Sequence, residues 1–221
     1  MVRQRLLREI DIWKQLHHPN VLPLLGVLSG FMDDLGMVSP WCAHGDINTY
    51  LNVYRTTPTF KELAYRLESH SPVLEVHSQN PPIIHADIKG GNILISDKGE
   101  AMLCDFGLAR IRVDELGTVY EYDNSSTISG TARWMAPELW SKDESMHSFA
   151  SDVYSFGCTT LEVLSGRPPF YETRNEMEAI IAAANGVRPT RPPDADDEVW
   201  QLMTECWATG REHRPSVPEL I

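Results

Sequence analysis

Apolar positions along the chain change period several times, and each change predicts a change of element. Residues 3–17 set Leu6, Ile10, Trp13 and then Leu16 or His17 on one side at helical spacing, and His18-Pro19-Asn20 breaks the run. Two short apolar runs, 21–28 and 36–41, joined by the turn-like residues 29–34, predict a hairpin of buried strands that leads into a connector. From Asp46 the pattern is mainly helical, although Pro72 falls inside 61–78, where it removes a hydrogen bond and crowds the preceding turn. Ile83-Ile84 and Ile93-Leu94-Ile95 predict small strands flanking the polar segment 85–92, and Asp97-Lys98-Gly99-Glu100 predicts a tight turn before Ala101-Met102-Leu103-Cys104. Residues 112–130, rich in Ser, Thr, Asp and Tyr, show no apolar period and predict an exposed loop. Beyond it, 151–165, 175–184 and 198–207 carry helical patterns, so the second half is expected to be a helical bundle.

Composition narrows the class of protein. With 221 residues and 42% hydrophobic content the chain can bury a sizeable core, near the upper end of one ordinary domain. A formal net charge of −12 argues against a nucleic-acid partner, because affinity for a phosphate backbone rests on clustered Lys and Arg. Cys42, Cys104, Cys158 and Cys206 stand far apart, which suggests neither a zinc site nor a disulfide framework but reduced, mostly buried thiols. No apolar run approaches the length of a membrane span, and charge enters too early in the first nine residues for a secretory leader. A cytoplasmic location is the expectation.

The chemistry concentrates in His85-Ala86-Asp87-Ile88-Lys89-Gly90-Gly91-Asn92 and in Asp105-Phe106-Gly107, thirteen residues after Asn92. Phosphoryl transfer needs a carboxylate at the attacking hydroxyl, a cation on the moving phosphoryl group and oxygen ligands for Mg2+. Asp87 supplies the first, Lys89 the second, and Asn92 with Asp105 the third. Any one of these residues alone would more often cap a local turn, but their joint spacing is specific.

With Ala136-Pro137-Glu138 closing the segment that Asp105-Phe106-Gly107 opens, the chain resembles the eukaryotic protein kinase family, in its tyrosine-kinase-like serine/threonine subgroup, from Arg8 to the end. The resemblance implies an α+β, protein-kinase-like fold: a mostly helical C-lobe over 42–221 and a partial N-lobe over 1–41, one helix and a β-hairpin with the first three strands missing. It places a catalytic loop at 83–95 and an activation segment at 105–138. It implies ATP and Mg2+ as cofactors and a protein substrate. Lys89 marks the serine/threonine type, and Thr131 in Gly130-Thr131-Ala132-Arg133-Trp134-Met135 resembles the threonine that bonds the catalytic aspartate and lysine. Asp152 resembles the central-helix aspartate that buttresses the catalytic loop, Arg214 the arginine that pairs with Glu138, and these with His85 are structural rather than chemical. Glu9 matches the helix glutamate that pairs with a strand lysine near the phosphates, Phe106 is expected beneath that helix, and ATP is expected along the connector at Ser39, Trp41 and Cys42.

Several departures accompany the match. No lysine precedes Lys14 and no G-x-G-x-x-G is present, so a Gly-rich lid and strand lysine are expected to lie before Met1, and the hairpin is expected to expose an unpaired edge. Ala86 stands where many kinases carry the arginine that pairs with a phosphorylated loop residue; Thr127 occupies the matching phosphosite. Pro72 interrupts the helix before the catalytic loop, and the end at Ile221 looks cut short within a final helix. The competing readings are a pseudokinase-like interaction module without catalysis and, more weakly, a small-molecule phosphotransferase.

Overall fold

A computed structural model describes residues 2–31, 34–54, 76–78, 82–111, 130–141, 146–193 and 195–216. Among the described residues the architecture is α+β: a helix and a hairpin open the chain, small strand ladders frame the middle, and helices joined by loops follow. Helix α1, Val2–Trp13, buries Ile10, Ile12 and Trp13. It ends earlier than its apolar pattern suggests, because Gln15 and Leu16 bond the carbonyls of Ile12 and Trp13 in a tightened last turn. Leu16 is still buried past the helix end, and the Trp13 indole donates to the Leu22 carbonyl.

The hairpin is shifted from its expected place. Strands β1, Gly26–Phe31, and β2, Asp34–Val38, pair antiparallel, with a register shift between Ser29 and Phe31 where Gly30 takes φ +85°. Val21 and Leu22 are buried, Val21 against Leu103, but Pro23 has no N–H to continue a ladder, so β1 starts only at Gly26. Pro40 likewise follows the end of β2. Nor is this a buried hairpin: Val27, Leu28 and Val38 are 43%, 50% and 43% exposed. Helix α2, Ile47–Tyr54, then packs Ile47, Tyr50 and Leu51 into the core. The proline at 72 lies outside the described residues.

Strand β3, Ile83–Ile84, pairs antiparallel with β6, Arg110–Ile111, and β4, Ile93–Ile95, pairs antiparallel with β5, Ala101–Leu103. The turn between β4 and β5 closes as expected, with the Ser96 hydroxyl accepting from the amides of Lys98 and Glu100 and Gly99 at φ +78°. Two segments paired at both ends must face each other between the ladders. That topology brings the polar loop 85–92 against the loop 104–109.

Helix α3, Phe149–Ser165, is the axis of the second half. Ser148 and Ser151 form a reciprocal capping box at its start and Gly166 closes it in the left-handed region. Residues 151–163 are all buried, which is why this stretch reads as apolar all round. Helix α5, Asp197–Cys206, approaches it at Gly157, where a β-carbon would come within 2.7 Å of Cys206 Cβ. Helix α4, Glu176–Ala184, starts at an Asn175 cap, and α5 at an Asp196 cap. Among the described residues no helix is long and apolar enough to cross a membrane.

Candidate active site

Asp152, near the start of α3, holds the loop that carries the candidate residues. Its Oδ2 accepts from the His85 amide at 2.7 Å and lies 2.9 Å from His77 Nε2, and its Oδ1 accepts from the Ala86 amide at 2.9 Å. Ala86 is thereby fixed at φ +68°, a left-handed conformation that costs a residue with a β-carbon about 1 kcal/mol or more. Burial acts to raise the Asp152 carboxyl, but the His77 hydrogen bond and charge, His85 and the Ala86 amide outweigh it and hold the carboxyl below its ordinary range.

His85 is fully buried, and its imidazole joins the two facing loops. Nδ1 accepts from the Asp87 amide at 3.3 Å, which leaves Nε2–H to donate to the Cys104 carbonyl at 3.1 Å. Burial lowers its pKa and favours this neutral tautomer. Its ring meets Phe106 edge-on at 5.1 Å, and Phe106 lies 6.1 Å from the Trp13 ring, so Phe106 does pack inward beneath α1. Burial and the neighbouring Asp105 push the Cys104 thiol up to about 12, which removes it as a nucleophile at neutral pH.

At the centre, Lys89 Nζ donates to Asp87 Oδ2 at 2.9 Å and to Thr131 Oγ1 at 2.7 Å. Asn92 Nδ2 donates to the Asp87 carbonyl at 2.8 Å and to Asp87 Oδ2 at 2.9 Å. Both donors take the same carboxylate oxygen. The other, Asp87 Oδ1, is buried and has no hydrogen-bond partner among the described residues.

Asp105 is exposed and sits at φ +63°, a conformation aspartate tolerates better than most residues. The Ile93↔Leu103 register sets Asn92 beside Cys104, whose amide donates to the Asn92 carbonyl at 2.9 Å, so Asp105 follows immediately on the facing strand. A β-carbon on Gly107 would meet both Asp105 Oδ1 and Glu9 Oε2 at 3.2 Å; the helix glutamate therefore reaches this end of the site. Asn92 Nδ2 is engaged with Asp87, which leaves its Oδ1 as an acceptor, and Asp105 supplies a carboxylate from the facing strand. Two protein oxygens with remaining positions taken by phosphate and water is the kind of donor set Mg2+ accepts, so the residues fit that ion.

In the connector, Ser39 is half-buried, Cys42 is buried and Trp41 is 88% exposed. Thr127 lies outside the described residues. Around Thr131 the segment is pinned from outside: the Gly130 amide donates to Glu176, and the Arg133 guanidinium donates to the Pro169 and Phe170 carbonyls and to Thr173. The segment's far end is tied by Arg214, whose two terminal nitrogens meet the Glu138 carboxylate at 2.7 and 2.8 Å while it also donates to the Ala150 and Ala208 carbonyls.

Two contributors escaped the reading of the sequence. His77 has no local signal, since only the fold brings it to Asp152. Glu162 does leave a trace, a single carboxylate inside the apolar run from Cys158 to Leu164, where an unpaired charge would be costly.

A family model described as protein tyrosine and serine/threonine kinase matches residues 1–221. Mitogen-activated protein kinase kinase kinase 3 of Arabidopsis thaliana is 31% identical over 219 residues, covering 99% of this chain and 32% of that protein. Cytokinesis protein sepH of Emericella nidulans is 31% identical over 216 residues, 98% of this chain and 15% of its own length. Mitogen-activated protein kinase kinase kinase 2 of Arabidopsis thaliana is 30% identical over 222 residues, 99% of this chain and 32% of its own length. This chain thus spans about a third or less of the relatives it matches. The chain belongs to the protein tyrosine and serine/threonine kinase family.

Proposed function

We propose that this chain transfers the γ-phosphoryl group of ATP to serine and threonine hydroxyls of a protein substrate. The observation that carries the proposal is the asymmetry of the Asp87 carboxylate. One oxygen is held by Lys89 and Asn92, and the buried second oxygen has no partner among the described residues. A buried acceptor left unpaired costs about 1–3 kcal/mol, and a substrate hydroxyl seated on Oδ1 recovers that energy while being aligned for attack. Asp87 orients that hydroxyl and takes up its proton as the new oxygen–phosphorus bond forms and the bond from the γ-phosphorus to the bridging oxygen breaks, ADP leaving with the electron pair. Lys89, bridging Asp87 and Thr131, neutralises the transferred group and locks the substrate-side segment to the catalytic loop. Asn92 and Asp105 would hold Mg2+, which would supply electrostatic neutralisation of the phosphate oxygens.

Lys89 with Thr131 supports serine and threonine over tyrosine as acceptors. The four described cysteines are free thiols, in keeping with a reducing, cytoplasmic setting. The deciding experiment is radiolabel transfer from ATP to a generic protein substrate in Mg2+, with Asp105→Asn as control; the variant is expected to lose about a hundredfold or more. Equal signal from both proteins rejects the proposal. Regulation through Thr127 is expected to be weak, because the arginine that would grip a phosphate there is Ala86, which is buried. Thr127→Asp is expected to alter the transfer rate by less than about tenfold, and a larger change assigns the phosphate another cationic partner.

A further inference from the structure

Glu162 lies on α3, ten residues beyond Asp152, and is 6% exposed. Three donors from three separate parts of the chain end on its carboxylate. Asn48 Nδ2 from α2 reaches Oε1 at 2.8 Å, and the Gly90 amide and the Trp134 indole reach Oε2 at 2.9 and 2.8 Å. Gly90 follows Lys89 directly, and Trp134 stands three residues after Thr131. Since Lys89 and Thr131 touch at 2.7 Å, the contacts close a ring: Lys89, Gly90, Glu162, Trp134, Thr131 and back to Lys89. One side of the ring is the reaction site and the other is this buried carboxylate.

The absent side chain at position 90 belongs to the same arrangement. A β-carbon there would lie 2.8 Å from Glu162 Oε2 and 2.7 and 2.9 Å from the Asn48 amide atoms, so any larger residue at this position must displace the Asn48 amide or the carboxylate. Burial raises the Glu162 pKa, and the Gly90, Asn48 and Trp134 bonds work against that rise. The ring does not depend on the charge. A protonated acid, or a glutamine, still accepts from Gly90 and Trp134 and donates toward Asn48 once that amide turns over.

We infer that Glu162 is a positioning residue for phosphoryl transfer, setting the register between the catalytic loop and the Thr131 segment through Gly90 and Trp134; the inference rests on the kinase function proposed above. It stands across the ring from Asp87 and acts through Gly90 and Trp134. Its loss therefore falls on turnover, not on nucleotide affinity.

The test compares Glu162→Ala, Glu162→Gln and Trp134→Phe in the full chain, with kcat, KM for ATP and amide exchange at Gly90 measured together. Glu162→Ala is expected to lower kcat about tenfold or more with KM for ATP held within about twofold, since small displacements of reacting groups are costly. Glu162→Gln is expected to restore kcat to within about threefold of the parent, because its hydrogen bonds can be remade. Trp134→Phe keeps the aromatic packing and drops one donor, so it reports even where the alanine variant does not fold; the same split at smaller size is expected. Parental kcat in the folded variants, Gly90 exchange unchanged by Glu162→Ala, or a loss confined to KM for ATP overturns the inference. A parent chain with no transfer overturns the proposed function itself.

Discussion

Asp87→Asn is expected to lower the rate of phosphoryl transfer by about a thousandfold, in the middle of the range for removing a positioned general base. An amide has one acceptor and one donor end. If its oxygen stays with Lys89 Nζ and Asn92 Nδ2, the –NH2 replaces the unpartnered Oδ1 and presents a donor where the substrate proton must be received. If it turns over, the –NH2 opposes two donors, and the bridge from Lys89 to Thr131 loses its anchor on the loop. Neither orientation serves catalysis. The fold has other supports here, since the Asn92 amide also donates to the Asp87 backbone carbonyl, so the melting temperature is expected to move by only a few degrees, about 1 kcal/mol in a chain this size. Parallel measurement of kcat and thermal unfolding checks both halves. A variant within tenfold of the parent rate would remove Asp87 from the chemistry.

What could be read from the sequence depended on how far apart the cooperating residues lie. Asp87, Lys89 and Asn92 share one loop, and the structure joins them by hydrogen bonds that span two and five residues, so spacing alone brought them together. Helices α4 and α5 begin where their patterns do, because Asn175 and Asp196 are local caps whose side chains bond the first turn. The hairpin moved because an apolar run says nothing of which strand will find a partner. Val21 and Leu22 are consumed by docking near β5, and Pro23 then prevents a continuous ladder. Its exposed Val27, Leu28 and Val38 look identical in a pattern to buried ones. Glu162 was hardest to foresee: its partners are 114, 72 and 28 residues away, and only the assembled fold turns a costly buried carboxylate into a satisfied one.

The largest effect on the fold is expected from Asp152→Asn. The carboxylate faces three donors and has no hydrogens, whereas an asparagine must point –NH2 at His77 and His85, or at Ala86. Setting a donor against a donor in a site 1% exposed leaves a buried group unsatisfied and breaks a paired charge, for a cost of about 3–5 kcal/mol. At about 2–4 °C per kcal/mol for a chain of this length, the melting temperature falls by about 10 °C. The local consequence is as important. Ala86 holds its left-handed conformation against a steric cost, and a weakened bond to its amide frees the backbone one residue before Asp87. Transfer is therefore expected to drop even at temperatures where the variant stays folded. Acid titration separates this account from a simple packing defect. Because the folded-state pKa of Asp152 is depressed, its contribution is fully present above the unfolded carboxylate value and is lost as pH falls through the folded value. The parent is thus expected to lose more stability between pH 7 and strongly acid solution than the asparagine variant does, measured as the shift in urea midpoint. Equal pH dependence in the two proteins, or a melting temperature within 2 °C of the parent, would show that the catalytic loop is held by something other than this carboxylate.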